Sequence, residues 1–299
     1  MSVAKKASVV VVSYNMAREL PRTIFTLHPP YQQNIAADDL EIIVVDNGSV
    51  HPPEFQDDYP DVTVMRIDNA THSPVPAIRA GLGRATGELI GVMIDGARMA
   101  SPNLVSGALL ASRLSPRTVV TTVSYHLGHE MQTRSVPAGY TAQVEDVLLD
   151  SVAWRDNGYE LFGISVFAGS CQSGWFMPMA ESNALFMPRT LWEELGGYDE
   201  RFRAPGGGLA NLDVLARACE LPDSVLVSLL GEGTFHQVHG GVATNQQRAD
   251  ATWDTFHAEY LAIRGVPFST PARRAVLVGQ VRAEHRAHVH ASMASLTGS

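Results

Sequence analysis

The chain has 299 residues, 45% of them hydrophobic and 18% charged, the balance of an ordinary globular protein long enough to bury a sizeable core. With 31 acidic against 22 basic residues the formal net charge is -9, which argues against a nucleic-acid partner, because phosphate binding needs a basic face. No apolar run approaches the ~20 residues of a membrane span. Cys171 and Cys219 read as free thiols, with a reducing cytoplasm as the expected location.

Taken in chain order, the first half alternates two patterns. Runs of β-branched residues near 7–13, 40–46, 62–67, 88–94 and 117–124 predict strands. The first of these follows Lys5-Lys6 and runs straight into Tyr14 and Asn15, so it reads as a strand and not as a signal peptide. Helical patterns fall near 17–28, 74–85 and 102–113. Such alternation implies an α/β fold, a mainly parallel sheet flanked by helices. From Tyr125 to about Tyr140 the chain turns polar, and that stretch is long enough for a functional loop. A helix is expected near 142–152, a strand from Ser182 to Pro188 and a short helix from Arg189 to Leu195, closed by Gly196-Gly197. Another helix is expected at about 209–220, after Gly206-Gly-Gly208. Beyond 245 the pattern is helical, from Gln246 to Arg264 and from Pro271 to about Met293. The expected division is a sheet domain over 1–244 and a C-terminal helical extension over 245–299.

Two segments carry most of the information. Ala7-Ser-Val-Val-Val-Val-Ser-Tyr-Asn15 and Glu41-Ile-Ile-Val-Val-Asp-Asn-Gly-Ser49 are apolar runs that stop abruptly at polar, turn-forming residues. Open α/β sheets bind ligands outside the carboxyl ends of their strands. Ser13, Tyr14, Asn15, Asp46, Asn47 and Ser49 are therefore expected at one rim, a set suited to a nucleotide base and ribose. Asp-Asn-Gly-Ser is also good turn chemistry by itself. Asp95 closes a third apolar run, Leu89 to Ile94, with Arg98 three residues on. In Gly231-Glu-Gly-Thr-Phe-His236-Gln-Val-His239-Gly-Gly241, two imidazoles among glycines suit metal coordination or phosphate contact. Residues i and i+3 of an extended segment point to opposite faces, so one imidazole is expected at a metal unless the chain turns.

These segments resemble the opening of family 2 glycosyltransferases, which have the GT-A Rossmann-like fold. The resemblance continues through Ala85-Thr-Gly-Glu-Leu-Ile90, Met93-Ile-Asp95 and Leu195-Gly-Gly-Tyr-Asp-Glu-Arg-Phe202, and covers roughly the first 240 residues. It implies transfer of a sugar from a nucleoside-diphosphate sugar to the hydroxyl of a sugar or lipid-linked acceptor, in polysaccharide or glycolipid assembly. Asp46 would accept a hydrogen bond from the base, Tyr14 would stack on it, and Arg79 would lie near the diphosphate. Glu181 and Asn183, beside Trp175, would read the transferred sugar.

Two departures from the family pattern stand out. Its Asp-x-Asp motif is reduced here to Asp95-Gly-Ala97, which removes one carboxylate. A donor-dependent Mn²⁺ or Mg²⁺ would then need Asp95 together with His236, or with His239 as competitor; alternatively Arg98 supplies the positive charge. Where the family has a Glu-Asp pair whose aspartate is the base, this chain reads Ala210-Asn211. Asn211 cannot be a general base at neutral pH. Asp213 and Glu181 are the candidates, or a retaining mechanism works without one. Asp213 also reads as a first-turn helix acid.

Trp253, Phe256 and Tyr260 form a helical stripe suited to core packing or a homodimer contact. Arg273, Arg274, Arg282 and Arg286 with His285, His288 and His290 make a basic run, read as a solvated helix, with peripheral contact to an anionic membrane as the alternative. A nucleotidyltransferase would carry a Gly-rich basic loop after the first strand, and Ser13-Tyr-Asn-Met-Ala-Arg18 is not one. A non-catalytic nucleotide-sugar-binding protein is the other rival, motivated by Ala97 and Asn211.

Overall fold

The computed structural model describes residues 5–178, 181–240 and 249–297. The first half follows the alternation: β1 (Ala7–Ser13), α1 (Leu20–Leu27), β2 (Leu40–Asp46), β3 (Thr63–Arg66), α2 (Val75–Arg84), β4 (Leu89–Met93), β5 (Arg98–Ala100), α3 (Leu104–Ala111) and β6 (Thr118–Leu127). Next come α4 (Gln132–Ser135), α5 (Ala142–Asp150), β7 (Ser165–Phe167), β8 (Ala184–Pro188), α6 (Arg189–Leu195) and α7 (Ala210–Glu220). The chain ends with β9 (Val225–His236), α8 (Ala249–Arg264), β10 (Val276–Gly279) and α9 (Arg286–Thr297).

One sheet runs in the order β10-β9-β6-β8-β4-β1-β2-β3, with β5 added to β9 and β7 to β6. Pairs β4–β1, β1–β2 and β2–β3 are parallel, as are β6–β9 and β9–β10; β8 is antiparallel to both of its neighbours. Every residue of β1 is buried, as expected of a central parallel strand covered on both faces. Alternation along the strands explains the two layers. Val10, Val12, Ile43 and Val45 face α2, α6, α7 and α8 through Ile78, Leu191, Val214, Phe256 and Tyr260. Val9, Val11, Ile42 and Val44 face α1 and α3 through Leu20, Ile24, Leu104 and Val105.

Several expectations need correction. The helix predicted from Pro271 begins only at Arg286, because Val276–Gly279 pairs with β9 as a parallel strand. Its alternating β-branched residues meet an unpaired strand edge, and that tertiary opportunity overrides local helix preference. The polar stretch after 124 starts as strand, since β6 continues to Leu127, and then contains α4. The start of the helix predicted at Gln246, and the 244/245 division, lie outside the described residues. The described part, 249–297, adds a strand to the main sheet and side chains to its core. In the aromatic stripe Phe256 and Tyr260 are core, while Trp253 remains 42% exposed. Trp175 is buried against Tyr125, Phe167 and His285 and so does not line a sugar pocket. Both cysteines are free and buried. No helix among the described residues is long and apolar enough to cross a membrane.

The basic run is likewise partly interior. His285 and His288 are buried against Phe162, Tyr125 and Phe167, and Arg282 stacks on Tyr159 at 4.2 Å. Burial, aided by the charge of Arg282, pushes the His285 pKa down to about 4. The native state therefore excludes a proton that the unfolded chain takes up near the ordinary value of about 6.5. Stability from this group is full above that value and is lost as pH falls toward the native pKa. The fall in melting temperature between about pH 7 and about pH 5 should be smaller in His285→Gln than in the parent chain. Equal falls, followed by scanning calorimetry, would remove His285 from the acid response.

Candidate active site

The strand register builds the rim. Ser13 pairs with Asp46 at the carboxyl ends of β1 and β2, and β4 lies on the other side of β1 with Met93 opposite Val11. Asp95 follows two residues later. Asp46, the Ser13–Asn15 turn and Asp95 thus lie along one edge, neighbouring strands being about 4.8 Å apart. Asp46 is buried; its Oδ1 accepts from the Ser49 amide at 3.0 Å and its Oδ2 from Arg66 Nη1 at 2.8 Å. Asn15, in the left-handed region with φ 54°, donates its amide to Ser49 Oγ at 2.8 Å and accepts from the Val50 amide at 2.9 Å. Tyr14 is 54% exposed beside this turn, and the buried Ser13 hydroxyl has no partner. The turn chemistry is real, and it leaves the carboxylate spare lone pairs and the tyrosine ring a free face. Arg66 is an addition that sequence patterns missed, although it stands directly opposite Asp46 in the β2–β3 register.

Arg79 is elsewhere. Its Nη1 donates to the Gly196 and Tyr198 carbonyls at 3.0 and 2.9 Å, and its Nε pairs with Glu200 at 2.6 Å. It clamps the loop after α6, which corrects the expectation of a diphosphate contact.

The densest chemistry lies at Asp95. β5 runs antiparallel to the end of β9 with Arg98 opposite His236, so the Asp95–Arg98 turn abuts the histidine segment. Asp95 Oδ1 accepts from the Ala97 amide at 2.9 Å. Its Oδ2 lies 3.0 Å from His236 Nε2 and 3.3 Å from His239 Nε2, and the two Nε2 atoms are 3.1 Å apart. Both imidazoles therefore reach the carboxylate, where one was expected, because β9 ends at His236 and the chain turns. The turn is pinned on three sides. The Gln237 amide donates to Ala97 O at 2.8 Å, the Val238 amide to Glu145 at 2.8 Å, and Arg18 to Val238 O at 3.1 Å. Arg98 donates to Ser124 Oγ at 2.7 Å, while its buried Nε, 3.8 Å from Asp95, has no hydrogen-bond partner.

The residues fit a divalent ion. Bonds of about 2.1 Å place adjacent ligands roughly 3 Å apart, the spacing seen among these three atoms. Burial opposes ionisation of Asp95, but the His239 charge and the hydrogen bonds of both histidines hold its pKa well below the ordinary carboxylate value. Burial, only partly offset by Asp95, pushes His236 down to about 4. For His239 burial is the largest effect and acts downward, yet the charge and hydrogen bond of Asp95 outweigh it and leave the pKa raised. A carboxylate with an imidazole kept neutral is a donor set ready for a cation.

On the acceptor side, Glu181 is buried, accepting from the Asn183 amide at 2.6 Å and from Ser170 Oγ at 2.5 Å. The Asn183 carbonyl accepts from the Ile94 amide at 3.3 Å, and its side chain meets Asn211 Nδ2 at 3.4 Å. The Asn183 backbone thus abuts the residue before Asp95, and the two carboxamides touch each other. Asp213 is fully buried, with Arg217 Nε at 2.9 Å and Arg264 at 2.6 and 2.8 Å. Both of its oxygens are held by guanidiniums that tie α7 to α8. The expected base role finds no opening there, and Asp213 has the surroundings of a structural carboxylate.

Residues 8–95 match the family model for glycosyl transferase family 2. Solved structures of similar fold include S. aureus TarS, with 13% identity over 86% of this chain and a TM-score of 0.52. The mannosyltransferase PcManGT from Pyrobaculum calidifontis, in complex with GDP-Man and Mn²⁺, is 15% identical over 99% of this chain and 74% of its own, with a TM-score of 0.53. TarS 1–349 in complex with UDP-GlcNAc is 12% identical over 86% of this chain and 66% of its own, with a TM-score of 0.54. These likenesses establish the GT-A fold. The chain spans 40% of the length of the longer TarS structure. No curated protein matches its sequence.

Proposed function

We propose that the chain moves a sugar from a nucleoside-diphosphate sugar to an acceptor hydroxyl. The observation that carries this reading is the Asp95–His236–His239 cluster, set beside a strand-end rim suited to a nucleotide. Ser13, Tyr14, Asn15 and Asp46 hold the base and ribose, with Arg66 orienting Asp46. Asp95, His236 and His239 would hold Mn²⁺ or Mg²⁺, which neutralises charge on the departing diphosphate. The partnerless Arg98 Nε adds a second positive group there. Asn183 and Asn211 donate and accept hydrogen bonds to sugar hydroxyls, and Glu181 is the remaining candidate base. The nucleotide complexes of proteins with the same fold support the donor class. A sugar or lipid-linked acceptor and a place in polysaccharide or glycolipid assembly rest on the family resemblance, and a cytoplasmic site on the reading of Cys171 and Cys219 as free thiols.

The test is a thermal-shift screen of UDP, GDP and their sugars, with and without Mn²⁺, followed by a turnover assay. A ligand at 100 times its Kd stabilises the native state by about 2.7 kcal/mol. We expect the right diphosphate to raise the melting temperature, more so with metal, and EDTA to abolish turnover until Mn²⁺ is restored. Binding without transfer or donor hydrolysis would favour the non-catalytic binder. Turnover that survives EDTA and disappears in Arg98→Ala would transfer the cationic role to Arg98.

A further inference from the structure

We propose that Gln132 is a positioning residue that fixes His236 in the tautomer able to bind a metal ion. The proposal rests on the metal reading given above. Gln132 is fully buried on α4, just beyond β6. Its side-chain amide brackets His236 at two points, with Nε2 donating to the His236 backbone carbonyl at 2.9 Å and Oε1 lying 2.6 Å from the ring Nδ1.

These contacts fix a hydrogen on the His236 Nδ1. A backbone carbonyl only accepts, so the NH₂ end of the amide must face it. That turns the amide oxygen toward Nδ1, and because the oxygen only accepts, Nδ1 must carry the hydrogen. In a neutral imidazole the other nitrogen is then a bare lone pair. Nε2 points at Asp95 Oδ2 and His239 Nε2.

Without Gln132 the opposite tautomer is the favoured one. An Nε2–H would donate to the Asp95 carboxylate and make an ordinary hydrogen bond, and the lone pair needed for a metal would be gone. Gln132 thus chooses between a His–Asp hydrogen bond and a metal ligand. Its own place is fixed as well: its backbone amide donates to His126 Nδ1 at 2.9 Å, and His126 stands opposite His236 in the β6–β9 register. Outer partners of this kind orient metal-ligating histidines and set their affinity.

Two readouts test this. In chelated protein, long-range ¹H–¹⁵N spectra report the His236 tautomer. Electron paramagnetic resonance then measures Mn²⁺ affinity in the presence of UDP and, separately, GDP. We expect the Nδ1–H form in the parent chain. In Gln132→Met, which keeps the packing volume, we expect a shift to Nε2–H and a fall in Mn²⁺ affinity of roughly 10–100-fold. Gln132→Glu keeps an acceptor for Nδ1–H but gives up the donor to the His236 carbonyl, so it should recover the tautomer and part of the affinity. An Nε2–H tautomer in the parent chain would overturn the proposal and needs no variant. So would unchanged Mn²⁺ affinity in folded Gln132→Met, with the metal reading left standing. A parent chain that binds no Mn²⁺ with either nucleotide would sink both.

Discussion

Asp95→Asn should lower turnover by roughly 10²–10³-fold, the scale of losing one electrostatic stabiliser of a departing anion. The fold should survive. An asparagine oxygen can still accept from the Ala97 amide, which is the structural contact of Asp95 Oδ1. What disappears is the charge that both imidazoles face at 3.0 and 3.3 Å. That charge is also what raises the His239 pKa against the pull of burial, so the variant should lower the His239 pKa as well as weaken cation binding. The measurement is initial-rate sugar transfer beside a melting curve. Near-normal turnover in a folded Asp95→Asn protein would remove the cluster from the reaction.

Asp213→Ala should be the most destabilising single change at the site, costing about 3 kcal/mol, the lower end of the range for breaking a buried pair. The lower end applies for two reasons. Arg217 and Arg264 keep 22% and 21% of their side-chain surfaces exposed. Arg217 also retains the Leu195 and Gly197 carbonyls at 2.8 and 2.7 Å. Denaturant unfolding should show the loss, while turnover per folded molecule stays near normal. The contrary result is equally clear. If Asp213 were the general base, Asp213→Asn would keep the fold and lose roughly 10²–10⁴-fold in rate. Should Asp213 and Glu181 both fail as bases, the anomeric configuration of the product separates an inverting from a retaining reaction.

The sequence by itself determined the sheet's first half and the membership of the rim. β1, β2 and β4 are largely apolar runs buried on both faces, and such runs report burial locally. Their polar ends, Ser13 to Asn15, Asp46 and Asp95, had to gather on one edge once the strands were parallel. Tertiary structure alone decided which groups at that edge meet. His239 joins Asp95 because contacts from Ala97, Glu145 and Arg18 force the chain to turn after His236. Gln132 reaches His236 across 104 positions of sequence, from a polar stretch with no periodic signal. Arg79 and Asp213 looked like site residues, yet each is taken by partners from another element: the loop after α6 for Arg79, and Arg264 of α8 for Asp213. β10 forms a strand because β9 offers it an open edge. Periodicity records whether a side chain is buried, but a charge or hydrogen bond is defined by its partner, and that partner is set by how distant segments pack.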